Sequence, residues 1–402
     1  TSNKKGLGDK VENFEAKNDS IFQIKLKNPF NAFLGLLTMK YCSVVPKNVV
    51  EFYDDDFRSN PIGTGPFKFK RWEENIKLVL RKNENYFQKD SIGNQLPYLE
   101  AVSITFLPEK QSEFLQLVKG KIDFISGLDN SYKDEIITND GRLNEFYKDR
   151  IKMLRGPYLN TEYLAFFLKS EKNEIKSELI RKAINIGFDK RKMLKFLRNG
   201  VGIPAEAGFI PSGLPGYKKN NINKYNTELA KSYVSNYKEK YNSTPSLTLT
   251  TSSNYLDLCE FIQKELEKLG IEINIDVIPG SALKQAKANG KLDFFRASWI
   301  ADYPDAENYL SLFYSKNLAP DGPNYTHFSN DEYDRMYENS LRETNPEKSK
   351  LLYQKMDSII TSKSIIVPLF YDEVVRFISK NVVGMEINAT NLLDLRNVRK
   401  VD

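Results

Sequence analysis

Histidine and cysteine are scarce in this chain of 402 residues. It contains one histidine, His327, and two cysteines, Cys42 and Cys259, which lie far apart in the sequence. Metal sites built from these residues need several ligands at short spacings, and most hydrolase mechanisms use a histidine as the general base. We therefore expect no metal site, no cofactor and no enzymatic activity. The two cysteines neither establish nor exclude an oxidising compartment.

Long apolar runs and runs of basic residues are also absent. No apolar stretch reaches the roughly 18 residues of a membrane-spanning helix, and no signal peptide opens the chain. If the protein is exported, we expect its targeting segment to precede Thr1. The 59 basic and 53 acidic residues leave a net charge of +6, which is spread along the chain. This pattern predicts no nucleic-acid partner. The length predicts at least two domains, in a protein that we expect to be a monomer.

Residues 291–312 form the strongest candidate site. Alternation over residues 291–299 predicts a strand that carries Arg296 near its end. Pro304 cannot continue a strand ladder, so Asp302 follows on a loop. A cation and a carboxylate placed in this way suit a ligand that carries both charges, such as the two ends of a short peptide. The aromatic rings of Trp299 and Tyr303 lie around both.

Other interpretations of these residues stay open at this point. Asp302 is also well placed to cap the next helix, and Arg296 has structural carboxylates within reach, such as Asp293 or Asp305. The rings of Trp299 and Tyr303 suit a core equally well. The acidic pair formed by Asp302 and Asp305 also allows a carboxylate-based hydrolase, for instance a glycosidase.

The two halves of the chain share a pattern that predicts the fold class. Residues 109–119 predict a helix that ends at Gly120, before a strand over residues 121–125. Residues 255–269 carry a helical apolar stripe that ends at Gly270, before the alternating strand 271–277. Parallel strands joined by a helix are covered on both faces. The pattern therefore predicts two α/β lobes, whereas the polar residues 1–18 predict a loop.

Four segments resemble signatures of one protein family, in the same order. They are residues 61–72 with Gly-Thr-Gly-Pro-Phe, 180–190 with Arg-Lys-Ala-Ile, 298–310 with Trp-Ile-Ala-Asp-Tyr-Pro-Asp, and 366–372 with Pro-Leu-Phe-Tyr. The family is the peptide-binding class of extracellular solute-binding proteins of ABC importers, family 5, which includes dipeptide and oligopeptide receptors. The resemblance extends over nearly the whole chain.

The resemblance implies a two-lobed periplasmic-binding-protein-like fold of the class II type, with a ligand cleft between the lobes. On this basis, residues 1–158 belong to lobe I, residues 159–370 to lobe II, and residues 371–402 return to lobe I. Members of the family are usually longer at their start. We therefore expect the N-terminal part of the family fold to be missing here.

The resemblance also implies a receptor that captures short peptides and delivers them to ABC permease subunits in the membrane. In the family, the aspartate that matches Asp302 binds the α-ammonium group of the ligand. In some oligopeptide receptors, the arginine that matches Arg296 binds the peptide carboxylate. The expected ligand-binding residues are Arg296, Ser298, Trp299, Ala301, Asp302 and Tyr303.

The same resemblance does not decide which solute the protein binds or how the protein is attached to the membrane. A sugar, a metal chelate or haem are alternative ligands for this fold, although a single histidine argues against direct metal ligation. Phe167 replaces an asparagine that relatives often carry, so one polar contact is expected to be absent. The implied location is the periplasm or the cell surface, where a lipid anchor is a further expectation.

Overall fold

A computed structural model describes residues 10–401 of the chain. Its strands are β1 (Val11–Asn18), β2 (Ile21–Leu26), β3 (Phe67–Glu73), β4 (Lys77–Lys82), β5 (Ala101–Thr105), β6 (Phe124–Ser126), β7 (Ile151–Phe166), β8 (Ile203–Pro204), β9 (Ser246–Thr251), β10 (Glu272–Val277), β11 (Phe294–Ile300), β12 (Ile366–Ser379), β13 (Val382–Val383) and β14 (Arg399–Lys400).

The α-helices are α1 (Phe33–Leu37), α2 (Lys47–Tyr53), α3 (Lys110–Val118), α4 (Lys133–Ile136), α5 (Asn173–Lys176), α6 (Glu178–Ile186), α7 (Lys190–Arg198), α8 (Thr227–Tyr241), α9 (Leu256–Glu267), α10 (Gly280–Ala288), α11 (Glu307–Leu310), α12 (Asp331–Arg342) and α13 (Pro346–Ser362). Within residues 10–401, no helix combines the length and the apolar composition that crossing a membrane requires.

The chain forms two compact units. The first comprises residues 10–39 and Leu159–Asp372, and the second comprises Lys40–Tyr158 and residues 373–401. Strands β7 and β12 belong to both units, because the division falls within each of them.

The sheet of the first unit contains the predicted strand–helix–strand pattern. Strands β9 and β10 are parallel, with Leu247 opposite Ile273, and α9 connects them. Gly270 follows α9 at φ +79°, a conformation that suits glycine because it has no Cβ. The helix is amphipathic, and its buried side chains are Leu258, Cys259, Ile262 and Leu266. The apolar stripe and the glycine stop therefore form the helix and the strand that they predict.

The largest described core of the first unit lies on one face of this sheet. Leu164 and Phe166 of β7 and Phe294 of β11 pack there, together with α9. Helix α6 covers the same face through Ile180, Ala183 and Ile184. These side chains are almost completely inaccessible to solvent, so this packing holds β7 and β11 side by side.

The second unit differs from the predicted parallel pair. Strand β5 pairs antiparallel with β4, in a three-stranded sheet with β3. Strand β6, which follows α3, instead pairs antiparallel with β12. The helix and the glycine stop are present, but a helical connection does not by itself decide which strand pairs with which. In a separate cluster, Ile378, Val382 and Val398 near the C-terminus pack with Leu99, Phe124 and Leu154.

The N-terminal segment differs from its prediction in two ways. Of residues 1–18, which we expected to form a loop, Val11–Asn18 form β1 and pair with β2, and residues 1–9 lie outside the described residues. Almost every side chain of β1 is exposed, so the strand carries no apolar alternation that could reveal it. Residues 10–39 also pack with the first unit rather than with lobe I, because Phe30 and Phe33 form a core cluster with Tyr303.

Candidate functional site

Strand β9 lies at a switch point of the sheet of the first unit, because the two strands that follow it in the sequence lie on opposite sides of it. Strand β10 lies on one side of β9 and β11 on the other, and both are parallel to it. Their carboxyl ends therefore share one edge of the sheet. In open α/β sheets, ligands bind outside the carboxyl ends of the strands at such a switch point. Residues 252–255 after β9 and residues 301–305 after β11 lie at this edge and form the candidate site.

A buried ion pair joins β11 to β7 beside this edge. Arg296 is 8% exposed and Glu162 is 3% exposed. Ser298 lies opposite Glu162 in the antiparallel register, so Arg296, two residues earlier, reaches Glu162 diagonally on the same face. The Nη2 atom of Arg296 donates to Oε2 of Glu162, and Nδ2 of Asn160 donates to Oε1 at 3.1 Å. Glu162 thus compensates the charge of Arg296 within the protein.

Tyr255 covers the face of the same guanidinium. It ends the short 3-10 helix Ser253–Tyr255 that follows β9, and its ring centroid lies 3.2 Å from Cζ of Arg296. The negative face of an aromatic ring attracts a cation, and more strongly when the pair is desolvated. Arg296 therefore contacts groups from both neighbouring strands, Glu162 from β7 and Tyr255 from the end of β9.

A second cation lies near this pair. Lys287 of α10 has its ammonium over the rings of Tyr325 and Phe295, at 5.6 and 6.0 Å from their centroids. Burial, followed by the charge of Arg296, lowers the pKa of Lys287 to about 8, while Glu162 acts in the opposite direction. The region therefore holds two cations, Arg296 and Lys287, and one buried carboxylate, Glu162. Arg296 and Glu162 are paired with each other.

The partner of Arg296 differs from the structural carboxylates considered in the sequence analysis. Asp293 pairs with Lys172, with Nζ 2.8 Å from Oδ2. Asp305 accepts a hydrogen bond from the backbone nitrogen of Glu307 at 2.8 Å. Binding of a ligand carboxylate at Nη2 of Arg296 would therefore require this atom to exchange Glu162 for the ligand.

Asp302 lies on the exposed loop after β11. Its backbone nitrogen donates to Oδ1 of Asn308 at 3.1 Å, and the same oxygen accepts from Nε1 of Trp299 at 2.8 Å. Asn308 thereby holds the backbone of Asp302 after Ala301 and the indole of Trp299 before it. The side chain of Asp305 accepts from the backbone nitrogen of Glu307, the first residue of α11, and the N-cap residue Ala306 makes no side-chain capping bond.

The other predicted site residues are less accessible than Asp302. Ser298 and Trp299 are partly buried, and Ala301 is buried. Tyr303 is 7% exposed, and its ring packs with Phe30 and Phe33. This packing leaves little of Tyr303 for a ligand and agrees with the core alternative for that residue.

A second group of carboxyls, the partly buried Asp305 and the buried Glu307, lies at the end of this loop and has phenols as partners. Glu307 is 6% exposed and accepts from the hydroxyls of Tyr303, at 2.5 Å, and Tyr337. Asp305 accepts from the hydroxyl of Tyr353 at 3.0 Å. Burial raises the pKa of both carboxyls, and hydrogen bonds from the phenols oppose this rise. The cluster therefore supports the loop that carries Asp302 with groups from α12 and α13.

This arrangement gives the hydrolase alternative no support from Asp305. Its carboxylate bonds to the backbone of α11 and to Tyr353, so it serves the local structure. Within the described part of the chain, no group of three or more histidine, cysteine, aspartate or glutamate side chains is arranged to hold a metal ion.

Sequence reasoning missed Glu162, Tyr255 and Asn308. Glu162 lies in the polar run Asn160-Thr161-Glu162, which interrupts an otherwise apolar strand. Such an interruption in a buried strand indicates a polar network. Tyr255 follows the polar run Ser252-Ser253-Asn254 at the end of β9, where a strand end could have indicated a site. No local pattern distinguishes Asn308.

Known proteins resemble this chain in sequence over most of its length. The family model for bacterial extracellular solute-binding proteins, family 5 (middle), matches residues 1–321. The probable D,D-dipeptide-binding periplasmic protein DdpA of Escherichia coli K12 is 26% identical over 387 residues. This alignment covers 93% of this chain and 70% of DdpA.

Solved structures resemble the fold. The periplasmic binding protein DppA from Helicobacter pylori, in complex with the peptide STSA, has a TM-score of 0.79 at 23% identity. The match covers 98% of this chain and 75% of DppA. AgaA from A. tumefaciens R10, in complex with agropinic acid, has a TM-score of 0.78 at 20% identity and covers 98% and 78% of the two chains. These matches confirm the predicted two-lobed α/β fold of the periplasmic-binding-protein type.

The family match includes three of the four segments that carried the resemblance, at residues 61–72, 180–190 and 298–310. Because it covers most of the chain, it also confirms the family that these segments predicted. This protein belongs to the bacterial extracellular solute-binding proteins of family 5.

Proposed function

We propose that this protein is the solute-binding receptor of an ABC importer and that its ligands are short peptides. Asp302 carries the proposal, because its carboxylate lies on an exposed loop at the switch point of the sheet. A peptide has an α-ammonium group at its amino end, and a charge-assisted hydrogen bond to a carboxylate selects that group. The names of DdpA and of the DppA complex, which refer to a dipeptide and a peptide, support the same ligand class.

The way in which Asn308 holds the loop supports this role for Asp302. Its side-chain oxygen binds the backbone of Asp302 and the indole of Trp299, which fixes the backbone that carries the carboxylate. A binding group on a fixed backbone loses less conformational entropy when the ligand binds. We infer that Asp302 binds the ligand and that Asn308 and Trp299 position it.

The wider assignment follows from the family. We infer that the receptor delivers its ligand to permease subunits in the membrane and that it acts as a monomer outside the cytoplasm, with a lipid anchor as a further expectation. We infer no enzymatic activity, because the proposal needs only binding and release.

Substitution of Asp302 by asparagine tests the proposal. Asparagine keeps the size and the capping ability of aspartate but removes its charge. We expect trialanine to lose on the order of 1.5–3 kcal/mol of binding free energy, roughly ten- to a hundredfold in Kd. N-acetyl-trialanine has no ammonium group, so it should bind the natural protein weakly and lose little further. Titration calorimetry of both peptides with both proteins measures the difference.

Asp276 offers a matched control. It is an exposed aspartate near the end of the neighbouring strand β10, and Asp276→Asn should leave the affinity for trialanine unchanged. Equal binding of free and acetylated trialanine to the natural protein would contradict the assignment of Asp302 to the ammonium group.

A second candidate is another small solute, which the agropinic acid in the AgaA complex favours. Mass spectrometry of the molecules released from the purified, denatured protein separates the two candidates. Peptides among the released molecules support the first, and a single non-peptide compound supports the second.

A further inference from the structure

We propose that Glu162 determines the ligand specificity of this site, because it occupies the position on Arg296 where a ligand carboxylate would bind. The inference rests on the proposed function and deepens it. It names as ligands peptides with a free amino end, whose carboxyl end is either amidated or bound by a group other than Arg296.

The bonds of the pair carry this inference. An arginine side chain presents a planar fork of donors that matches one carboxylate. Here Nη2 of Arg296 binds Oε2 of Glu162, and Asn160 holds the other carboxylate oxygen. Tyr255 covers the guanidinium face. Glu162 thus occupies the position of a bound carboxylate at Nη2 of Arg296, whereas the buried Nε of Arg296 has no hydrogen-bond partner among the described residues.

Burial makes the exchange of Glu162 for a ligand unfavourable. Both side chains are less than one-tenth exposed. A ligand carboxylate that took the place of Glu162 would leave that glutamate buried without its cation, and breaking a buried pair in this way is strongly destabilising. The charges of Glu162 and Arg296 sum to zero. The exposed carboxylate of Asp302 therefore binds the ligand without a contribution from Arg296.

Lys287 is the other cation near this site. Its ammonium lies over the rings of Tyr325 and Phe295, on a different element from Arg296. A ligand carboxylate that binds Lys287 does not conflict with the role of Glu162, because that role concerns Arg296 alone.

Chemical rescue tests whether Glu162 fills a carboxylate position. Glu162→Ala removes the carboxylate and opens a cavity beside Arg296, and propionate carries the missing carboxylate on a short carbon chain. We expect about 100 mM propionate to raise the Tm of Glu162→Ala by roughly 3–5 °C. The same propionate should raise the Tm of the natural protein and of Glu162→Ala/Arg296→Met by no more than about 1 °C. Neutral propionamide is the control and should have no effect. Equal shifts in all three proteins, or none in Glu162→Ala, would overturn the proposal.

A second variant covers the case in which Glu162→Ala does not fold. Glu162→Gln/Arg296→Gln keeps a hydrogen-bonded pair of similar size and removes both charges. We expect the ratio of the Kd values of trialanine and trialanine amide to stay within about threefold of its value in the natural protein. A preference for the free acid that falls tenfold or more in this variant would overturn the proposal, because Arg296 would then bind the ligand carboxylate.

The remaining outcomes are also decisive. A preference for the free acid that survives this variant but disappears in Lys287→Met places the carboxylate at Lys287 and supports the proposal. If the natural protein binds neither trialanine nor its amide, the proposed peptide function fails, whereas the propionate result still decides whether Glu162 fills a carboxylate position on Arg296.

Discussion

Two clusters of the first unit contain buried or partly buried carboxyl groups near the same loop, and the partners of these carboxyl groups differ. In the ion-pair cluster, Glu162 faces the guanidinium of Arg296. In the acid–phenol cluster, formed by Asp305, Glu307 and their tyrosine partners, hydroxyls donate to the carboxyls. Asp357 of α13, also buried, is held by the backbone nitrogen of Phe209 at 2.8 Å. Glu162 thus has a full opposite charge as its partner, whereas the carboxyls of Asp305, Glu307 and Asp357 have neutral donors.

The difference shows what each kind of partner can do for a buried carboxyl. A cation balances the charge, whereas phenols and backbone nitrogens satisfy the oxygens and leave much of the desolvation uncompensated. Burial accordingly raises the pKa of Glu307 and Asp305, and it raises the pKa of Asp357 to about 7. We therefore expect the ion-pair cluster to depend on its partner, and the phenol-bonded and backbone-bonded carboxyls to depend on pH.

The largest effect is expected from breaking the ion pair. Glu162→Ala leaves Arg296 buried without its carboxylate, which should cost about 3–5 kcal/mol of the free energy of unfolding. Glu162→Ala/Arg296→Met removes both charges and should recover most of this loss. Urea unfolding of the three proteins measures the difference. If the double variant is as unstable as the single one, the loss comes from packing and not from the unpaired charge.

Asp357→Asn should change the pH dependence of stability. The folded protein keeps a proton on Asp357 up to about pH 7, whereas the unfolded chain releases it near the ordinary value of 3.8. Stability from this group is therefore full below about pH 4 and decreases as the pH rises to about 7. The total is at most about 4 kcal/mol. Asparagine does not titrate, so the variant should lose this slope.

Urea unfolding between pH 4 and pH 8 measures the slope for the natural protein and for Asp357→Asn. Gly208 must stay glycine in both, because a Cβ there would lie 1.7 Å from the carboxylate of Asp357. Parallel curves for the two proteins would contradict a titrating Asp357.

Tyr337→Phe sharpens the comparison within the acid–phenol cluster. It removes one of the two hydroxyls that donate to Glu307, and it should cost about 1.5–3 kcal/mol because the acceptor is a buried carboxyl. Tyr333 on the same helix offers a matched control. Its hydroxyl donates to the backbone oxygen of Leu310 at 2.7 Å, and loss of a bond to this neutral acceptor should cost about 1 kcal/mol. Thermal unfolding of the two variants compares them directly, and equal losses would show that the charge of Glu307 contributes little.

The smallest effect is expected from Tyr255. Tyr255→Leu removes the aromatic face over Arg296 and should cost about 0.5–2 kcal/mol. Tyr255→Phe keeps the ring and should unfold at nearly the same urea concentration as the natural protein. A large loss in Tyr255→Phe would assign the contribution to the hydroxyl instead.

The sequence alone predicted the elements that depend on neighbours along the chain. The apolar stripe before Gly270 predicted a helix over residues 255–269 and a strand over residues 271–277, and the structure has α9 and β10 there. The strand predicted over residues 291–299 is β11, which begins at Phe294. Side-chain periodicity and glycine stops are local signals, so they can be read without knowing the fold. The exposed strand β1 lacks such a signal and was missed.

Sequence motifs also identified the family and the loop that carries Asp302, but the partners of the charged residues depended on the tertiary structure. Glu162 and Arg296 are 134 residues apart, and Phe209 and Asp357 are 148 residues apart. The Glu162–Arg296 pair exists because β7 lies next to β11, which follows from the packing of both strands against the same core. Periodicity shows which face of a strand a charge occupies, but only the order and register of the strands decide which charge it meets.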